Sequence, residues 1–308
     1  MMMRLEKRRG TGTLMTESSF IPELLSSPML LFPGAKTSLL SAGEEILASV
    51  AALKAADPKA QPVAFWDFDG TLFEGDCSEG FTALNQEVVP GFVECAVNAG
   101  WSRMYPSAGG FARCWEDYQQ ITVRDGVEAA YTYFVRIFAG APAAALQEMA
   151  EREFAGRLRP WFFQGAMELW QQLEAGGVGC MVISASADFF VKGAAGVLGV
   201  PASRLHGLRL IIGDDGILTD QPADPVTVGT GKATLLQKLL DDPRVLAGKC
   251  YPIAAFGNDI VSDGPMLKAV ASATLPAGTP FAGLVNARGP APAPAYLRDL
   301  TFTRRFSS

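Results

Sequence analysis

Four places along the chain set chemistry-bearing side chains at the end of an apolar run or at the start of a helix. The run Val63-Ala64-Phe65-Trp66 stops at Asp67 and Asp69, two carboxylates one residue apart, followed at once by Gly70 and Thr71. The run Cys180-Met181-Val182-Ile183 stops at Ser184-Ala185-Ser186, and Gly231-Lys232 opens a segment of helical apolar period. The run from Tyr251 to Phe256 stops at Gly257-Asn258-Asp259-Ile260-Val261-Ser262-Asp263. Each feature alone has an ordinary explanation: Asp-Gly is a common turn dipeptide, and a lysine at a helix start is usually a solvated charge. Together they supply a carboxylate nucleophile, a second carboxyl for proton transfer, hydroxyl and ammonium groups for phosphate oxygens, and carboxylates for a hard cation. That combination points to metal-assisted phosphoryl transfer.

Placing these groups requires strands that end together. Short continuous apolar runs bounded by turn residues read as buried parallel strands, and in an open α/β sheet ligands bind outside the carboxyl ends of the strands. Ser41 with Glu44 forms a capping-box pattern and predicts a helix whose Ile46, Val50 and Leu53 share one face. Residues 1 to about 40 show no sustained period and are expected to be partly disordered. From Asp76 to Arg157 the pattern is helical without strand signals, which predicts an insertion after the first strand. Helices are further predicted at Gly165 to Glu174, at Asp188 (as its cap) to about Leu198, and at Ala233 to Leu240. Leu205 to Leu218 reads as a hairpin around Asp214-Asp215-Gly216. Beyond Val285, the run Gly289-Pro-Ala-Pro-Ala-Pro predicts a stiff, polyproline-like, peripheral tail. The expected architecture is an α/β doubly wound parallel sheet: core over 63–75 and 158–288, helical cap over 76–157, N-terminal extension with one helix over 1–62, and a Pro-rich tail over 289–308.

Composition excludes several classes. A formal charge of −6 leaves no basic stripe for nucleic acid. No apolar stretch is long enough for a membrane span. The cluster Arg4, Lys7, Arg8, Arg9 is followed by Gly and Thr rather than an apolar run, so it does not read as a secretory signal, and a cytoplasmic protein is expected. The five cysteines have no C-x-x-C spacing, which indicates reduced, mostly buried thiols rather than disulfides or zinc. His206 is the only histidine, inside an alternating strand-like stretch, which removes His-dependent triads and multi-histidine metal sites. No cysteine is followed six residues later by Arg, and Gly231-Lys232 lacks both the earlier glycine and the following Ser or Thr of a Walker loop.

The order Asp67-Phe68-Asp69-Gly70-Thr71, Val182-Ile183-Ser184, Lys232 and the acidic cluster resembles the haloacid dehalogenase superfamily, from about residue 63 to 272. The resemblance implies that Asp67 is the nucleophile that becomes an aspartyl phosphate. It implies that Asp69 protonates the leaving oxygen and then activates water, and this second carboxylate favours phosphate ester cleavage over carbon–halogen chemistry. Ser184, Ala185 and Lys232, with N–H groups near Gly70 and Thr71, would bind the phosphoryl oxygens. Mg²⁺ would be held by Asp67, the Asp69 carbonyl and either Asn258 or Asp259, with Asp263 orienting the ligands from behind. The insertion and the Gly-Ile-Leu-Thr segment at 216–219 are similar to the phosphoserine phosphatase branch. Within it, the segment Tyr133 to Gly140 and the Ser-Asp-Gly-x-Met-Leu ending at 262–267 most resemble bacterial phosphorylcholine phosphatases.

The cap is expected to choose the substrate. Asp76 stands where phosphoserine phosphatases carry a Glu that binds the substrate amino group, and Glu74 and Glu79 are nearby alternatives. The cap aromatics, Trp115 and Tyr118 among them, are either core packing or the walls of a cation-binding box. The expected partner is a small phosphate ester such as phosphocholine, phosphoethanolamine or phosphoserine. A phosphotransferase using the same intermediate, or a catalytically silent binding protein, are the alternatives.

Overall fold

The computed structural model describes residues 39–83, 85–106, 109–242, 248–288 and 294–300. The irregular start expected up to about residue 40 lies almost wholly outside these, as does the proline-rich run at 289–293.

Strand β1 (Gln61–Trp66) is buried from Pro62 onward and pairs in parallel on one side with β4 (Gly179–Ala187) and on the other with β8 (Cys250–Asp259). With β5 (Leu205–Leu208), β9 (Phe281–Arg288) and β10 (Arg298–Leu300) it forms an all-parallel sheet in the order β10-β9-β8-β1-β4-β5. Successive side chains of a strand point to opposite faces. Ala64 and Trp66 therefore enter the core layer of α1 (Leu39–Ala56) and α6 (Gln164–Ala175), whereas Val63 and Phe65 meet Leu235, Leu236, Met266 and Leu267 of α9 (Thr230–Asp241) and α10 (Ile260–Ala271). Trp66 stacks on Phe256 at 3.9 Å and tilts against Trp170 at 5.7 Å. Burial on both faces is why these strands read as unbroken apolar runs.

From β1 the chain builds outward to β4 and β5, then returns to add β8 on the opposite side. The strand order thus reverses at β1, and the crevice expected at such a switch point opens outside the carboxyl ends of β1, β4 and β8. No described helix is long and apolar enough to cross a membrane.

Between β1 and α6 lie β2 (Gly80–Thr82), β3 (Val88–Pro90), α2 (Phe92–Asn98), α3 (Gly110–Asp125), α4 (Val127–Arg136) and α5 (Ala143–Ala155). The antiparallel β2–β3 pair corrects the expectation that this stretch holds no strand. Its strands are too short to show alternation. Gly80, at φ +84°, and Gly91 face each other so closely that a Cβ on Gly80 would stand 2.6 Å from the Gly91 nitrogen. The chain leaves and re-enters the core side by side: Glu74 N–H donates to Trp161 and Phe163 N–H to Leu72. Phe154 of α5 packs edge-on against Phe68 at 5.6 Å and Phe73 at 5.7 Å, so the base of the insertion is continuous with the core beneath the acidic loop.

Four further expectations are corrected. α1 begins at Leu39, so Ser41 lies inside it and is not its cap. The helix after β4 is broken into α7 (Asp188–Lys192) and α8 (Ala195–Leu198), and Asp188 caps neither: its Oδ1 accepts from Gly207 N–H at 3.0 Å, tying α7 to β5. Leu205–Leu208 is a strand of the main sheet, because Leu205, Gly207 and Leu208 are buried there, and the hairpin is β6 (Leu210–Ile212) with β7 (Leu218–Pro222). The tail is not wholly peripheral: within it β10 completes the sheet and buries Leu300 fully.

Candidate active site

The loop leaving β1 is set by the sheet. Asp67 N–H donates to the Phe256 carbonyl at 2.8 Å, extending the β1–β8 ladder by one residue, so the Asp67 side chain is held where the strand ends. Lys232, on the first turn of α9, reaches back to place Nζ 2.6 Å from Asp67 Oδ1 and 2.6 Å from Asp263 Oδ1. Gly231 makes this approach possible, since a Cβ there would lie 1.6 Å from the Val226 carbonyl oxygen. Thr71 Oγ1 donates to the other Asp67 oxygen at 2.9 Å. Burial and the neighbouring Asp263 push the Asp67 carboxyl up to about 7, against the pull of Lys232 and Thr71. Burial alone would discharge Lys232; the two carboxylates outweigh it and hold its pKa above the ordinary lysine value.

Asp69 sits between β4 and the start of the insertion. Oδ1 accepts from Cys77 N–H at 2.7 Å, and Oδ2 accepts from Ser186 Oγ at 2.6 Å and Ser184 Oγ at 3.4 Å. Burial first, then the charge of Asp76, raises Asp69 well above the usual carboxylate range, with Ser186 opposing. Burial raises the proton affinity of such a carboxyl, which suits it to proton transfer.

The backbone of the loop corrects one expectation. Gly70 N–H donates to Phe73 and Thr71 N–H to Phe68, so these two amides are satisfied inside the turn instead of facing a phosphate. Gly70 has a different use. Its φ is +77°, and a Cβ there would stand 1.9 Å from Asn258 Nδ2, so the Asn258 amide is pressed against the loop at a position only glycine leaves open.

Asn258 and Asp259 are separated by their surroundings. Asp259 caps α10, its Oδ1 accepting from Val261 N–H at 2.7 Å and from Ser262 N–H at 3.4 Å. The buried Asn258 side chain makes no hydrogen bond to a described residue, while Asp263 Oδ2 accepts from the N–H groups of both residues at 2.9 and 3.0 Å. Among the described residues, no three His, Cys, Asp or Glu side chains gather as a metal site. A hard cation would instead take oxygens of mixed kind, and the Asp67 carboxylate with the unpartnered Asn258 amide has that chemistry.

On the insertion side, Asp76 Oδ1 accepts from the N–H groups of Ser78 and Glu79, both at 2.8 Å, and Glu79 accepts from the Tyr118 hydroxyl. Tyr118 stacks on Phe134 at 3.8 Å and on Trp115 at 5.3 Å. These rings pack face to face on one another, as core aromatics do, and Tyr118 is buried. Burial, then Asp76 and Glu79, raises the Tyr131 phenol as well. Ala185 lines a crevice, closed to a water-sized sphere, with Ser78, Tyr131, Phe134 and Ser186. Asp67, Asp69, Asp76, Glu79 and Asp263 thus converge with Lys232 as the cation among them, an arrangement that favours added positive charge.

Ser186, Cys77 and Thr227 were not singled out by sequence reasoning. Ser186 carried a signal, because residues two apart on a strand share a face and Ser184 was already a candidate. Thr227 donates to the Ser184 carbonyl at 2.7 Å and reaches it from a connection with no motif. His206 lies on β5 and touches none of these groups; its Nε2 is buried without a hydrogen-bond partner among the described residues.

No curated protein matches the chain. Among solved structures it is similar to a protein of unknown function from Bordetella pertussis Tohama I, 16% identical with a TM-score of 0.56, covering 74% of this chain and 92% of that one. It is also similar to a functionally unknown protein from Anaerococcus prevotii DSM 20548, 14% identical with a TM-score of 0.51, over 80% of this chain and 85% of the other. Cytosolic 5'-nucleotidase IIIB bound to cytidine aligns at 16% identity and a TM-score of 0.51, over 80% and 79%. At such identities the likeness is one of fold. The sequence itself is more specific: the pattern of the haloacid dehalogenase-like hydrolases matches residues 64–268, from β1 through α10, spanning the acidic loop, Ser184, Lys232 and Asp263. The chain belongs to the haloacid dehalogenase-like hydrolases.

Proposed function

We propose that the protein is a Mg²⁺-dependent phosphomonoesterase that cleaves a small phosphorylated metabolite through an aspartyl phosphate on Asp67. The observation that carries this reading is the buried Asp67 carboxylate, fixed by Lys232 and Thr71, with a second carboxyl two residues on at Asp69, held by Cys77 and Ser186. An Asp67 oxygen attacks phosphorus, the ester bond breaks, and the leaving oxygen takes the proton of Asp69. Asp69, now ionised, removes a proton from the water that attacks the aspartyl phosphate, and phosphate leaves as Asp67 is regenerated. Lys232, Thr71 and Ser184 orient the phosphoryl oxygens once these displace their present carboxylate contacts. Asp67, the Asp69 carbonyl and Asn258 would hold Mg²⁺, and Asp259 is assigned to capping α10. The ion supplies charge neutralisation on the transferring group.

The acidic lip of Asp76 and Glu79 suits a leaving group that carries an ammonium, as in phosphocholine, phosphoethanolamine or phosphoserine. This agrees with the sequence resemblance to phosphorylcholine phosphatases. A cytoplasmic setting fits the five cysteines, all free thiols. The test is phosphate release from a panel of these amine-bearing esters, sugar phosphates and p-nitrophenyl phosphate, with Mg²⁺ and with EDTA. Metal-dependent release led by the amine-bearing esters is expected. Release led by sugar phosphates would remove the cationic leaving group, and release unaffected by EDTA would remove the metal.

A further inference from the structure

Ser186 is buried on β4 and hydrogen-bonds to both Ser184 and Asp69. Its N–H donates to Ser184 Oγ at 3.0 Å, and its own Oγ donates to Asp69 Oδ2 at 2.6 Å. Each carboxylate oxygen offers two lone-pair directions. Around Oδ2 three donors converge: Ser186 Oγ, Ser184 Oγ at 3.4 Å and the Cys77 thiol at 3.6 Å. On Oδ1 there is one among the described residues, the Cys77 N–H at 2.7 Å. The two oxygens of Asp69 are therefore not equivalent, and Oδ1 is the one with an open direction.

We propose that Ser186 is a positioning residue for proton transfer, anchoring Oδ2 of Asp69 so that Oδ1 carries the proton to the leaving oxygen. The proposal rests on the phosphomonoesterase reading. In the step concerned, the Asp67 oxygen bonds to phosphorus and the bond from phosphorus to the ester oxygen breaks. The electron pair stays on that oxygen, which takes the proton from Asp69 and leaves it as a carboxylate. Without Ser186, Asp69 keeps its Cys77 N–H contact but loses its shortest bond and can rotate about it. A leaving group that departs readily as an anion will not register the loss; an alkoxide, which needs the proton, will.

The experiment compares kcat/KM, which reports the step up to aspartyl phosphate formation, for p-nitrophenyl phosphate and for an alkyl monoester such as phosphoethanolamine. Ser186→Ala is expected to lower kcat/KM for the alkyl ester at least about tenfold while the aryl ester falls less than about threefold. Ser186→Thr, which keeps the hydroxyl, is expected to restore the ratio, and a thermal melt of each variant reads the fold separately. Equal losses on both esters, or no loss on either, would overturn the role of Ser186. Failure of the wild-type protein to turn over either ester would instead overturn the phosphomonoesterase reading on which it rests.

Discussion

Lys232 Nζ stands 2.6 Å from a carboxylate oxygen of Asp67 and 2.6 Å from one of Asp263, with its side chain 1% exposed, so one ammonium serves two buried carboxylates. Removing one partner of a buried ion pair leaves charge uncompensated in a medium that solvates it poorly, at a cost of about 3–5 kcal/mol. Lys232→Met is expected to lose stability by about that amount and to have no measurable turnover. Adding Asp263→Asn to it should recover part of the stability and none of the activity, because one of the two repelling carboxylates is then neutral. Urea unfolding of the three proteins measures this, and a Lys232→Met variant as stable as the wild type would contradict it.

The neighbours Asn258 and Asp259 should part cleanly. Asp259→Ala removes a helix cap, costing about 1 kcal/mol, and leaves the Mg²⁺ concentration for half-maximal activity where it was. Asn258→Ala should raise that concentration at least about tenfold, the size typical of a lost contact to the metal site, with a smaller effect on stability. A Mg²⁺ titration of both variants decides it, and the opposite pattern would return the ligand to Asp259.

Gly70→Ala meets two obstacles at once. Its backbone is at φ +77°, and the added methyl would fall 1.9 Å from the Asn258 amide nitrogen. The left-handed conformation alone costs about 1–2 kcal/mol for a residue with a Cβ. The displaced Asn258 should add a higher Mg²⁺ requirement. Wild-type Mg²⁺ dependence in this variant would show that Asn258 does not depend on the close approach.

Asp76→Ala should raise KM for amine-bearing esters more than for p-nitrophenyl phosphate. Its Oδ1 accepts from the N–H groups of Ser78 and Glu79, which hold the carboxylate in place at the start of the insertion. Equal changes for both substrates would take Asp76 out of recognition.

The single histidine gives a pH prediction independent of catalysis. Burial lowers His206 to about 4, with Lys192 and Arg209 adding to this and Asp188 opposing it. A folded-state pKa below the unfolded value of about 6.5 means that the unfolded chain takes up the proton first as pH falls. Stability contributed by the neutral imidazole is therefore complete above pH 6.5 and lost as pH falls toward 4, by up to about 3 kcal/mol. His206→Gln should flatten that part of the stability curve relative to wild type. The lone imidazole resonance reports the pKa directly, and a titration near 6.5 in the folded protein would contradict the shift.

Much of this was legible in the sequence because it depends on strand ends. Asp67, Asp69, Ser184 and Asn258 each follow an apolar run that both sheet faces bury, and Lys232 opens a helix whose Leu235, Leu236 and Leu239 all point inward. What stayed hidden depends on chain reversal. Cys77 reaches Asp69 only because the loop folds back on itself, and β10 joins the sheet through one buried residue, Leu300, after a proline-rich run. The Gly70 and Thr71 amides looked available because the sequence does not show that Phe68 and Phe73 carbonyls turn toward them. That Asp259 rather than Asn258 caps α10 was also not legible, because both directly follow the apolar run of β8.

On the proposed mechanism, phosphate passes through Asp67. The direct measurement is acid quenching of the protein during turnover of p-nitrophenyl phosphate with Mg²⁺, followed by peptide mass analysis. One phosphoryl group is expected on the peptide that contains Asp67, labile to hydroxylamine, and absent from Asp67→Asn, which should remain folded and inactive. Steady turnover with no phosphorylated peptide, or turnover retained by Asp67→Asn, would contradict the account.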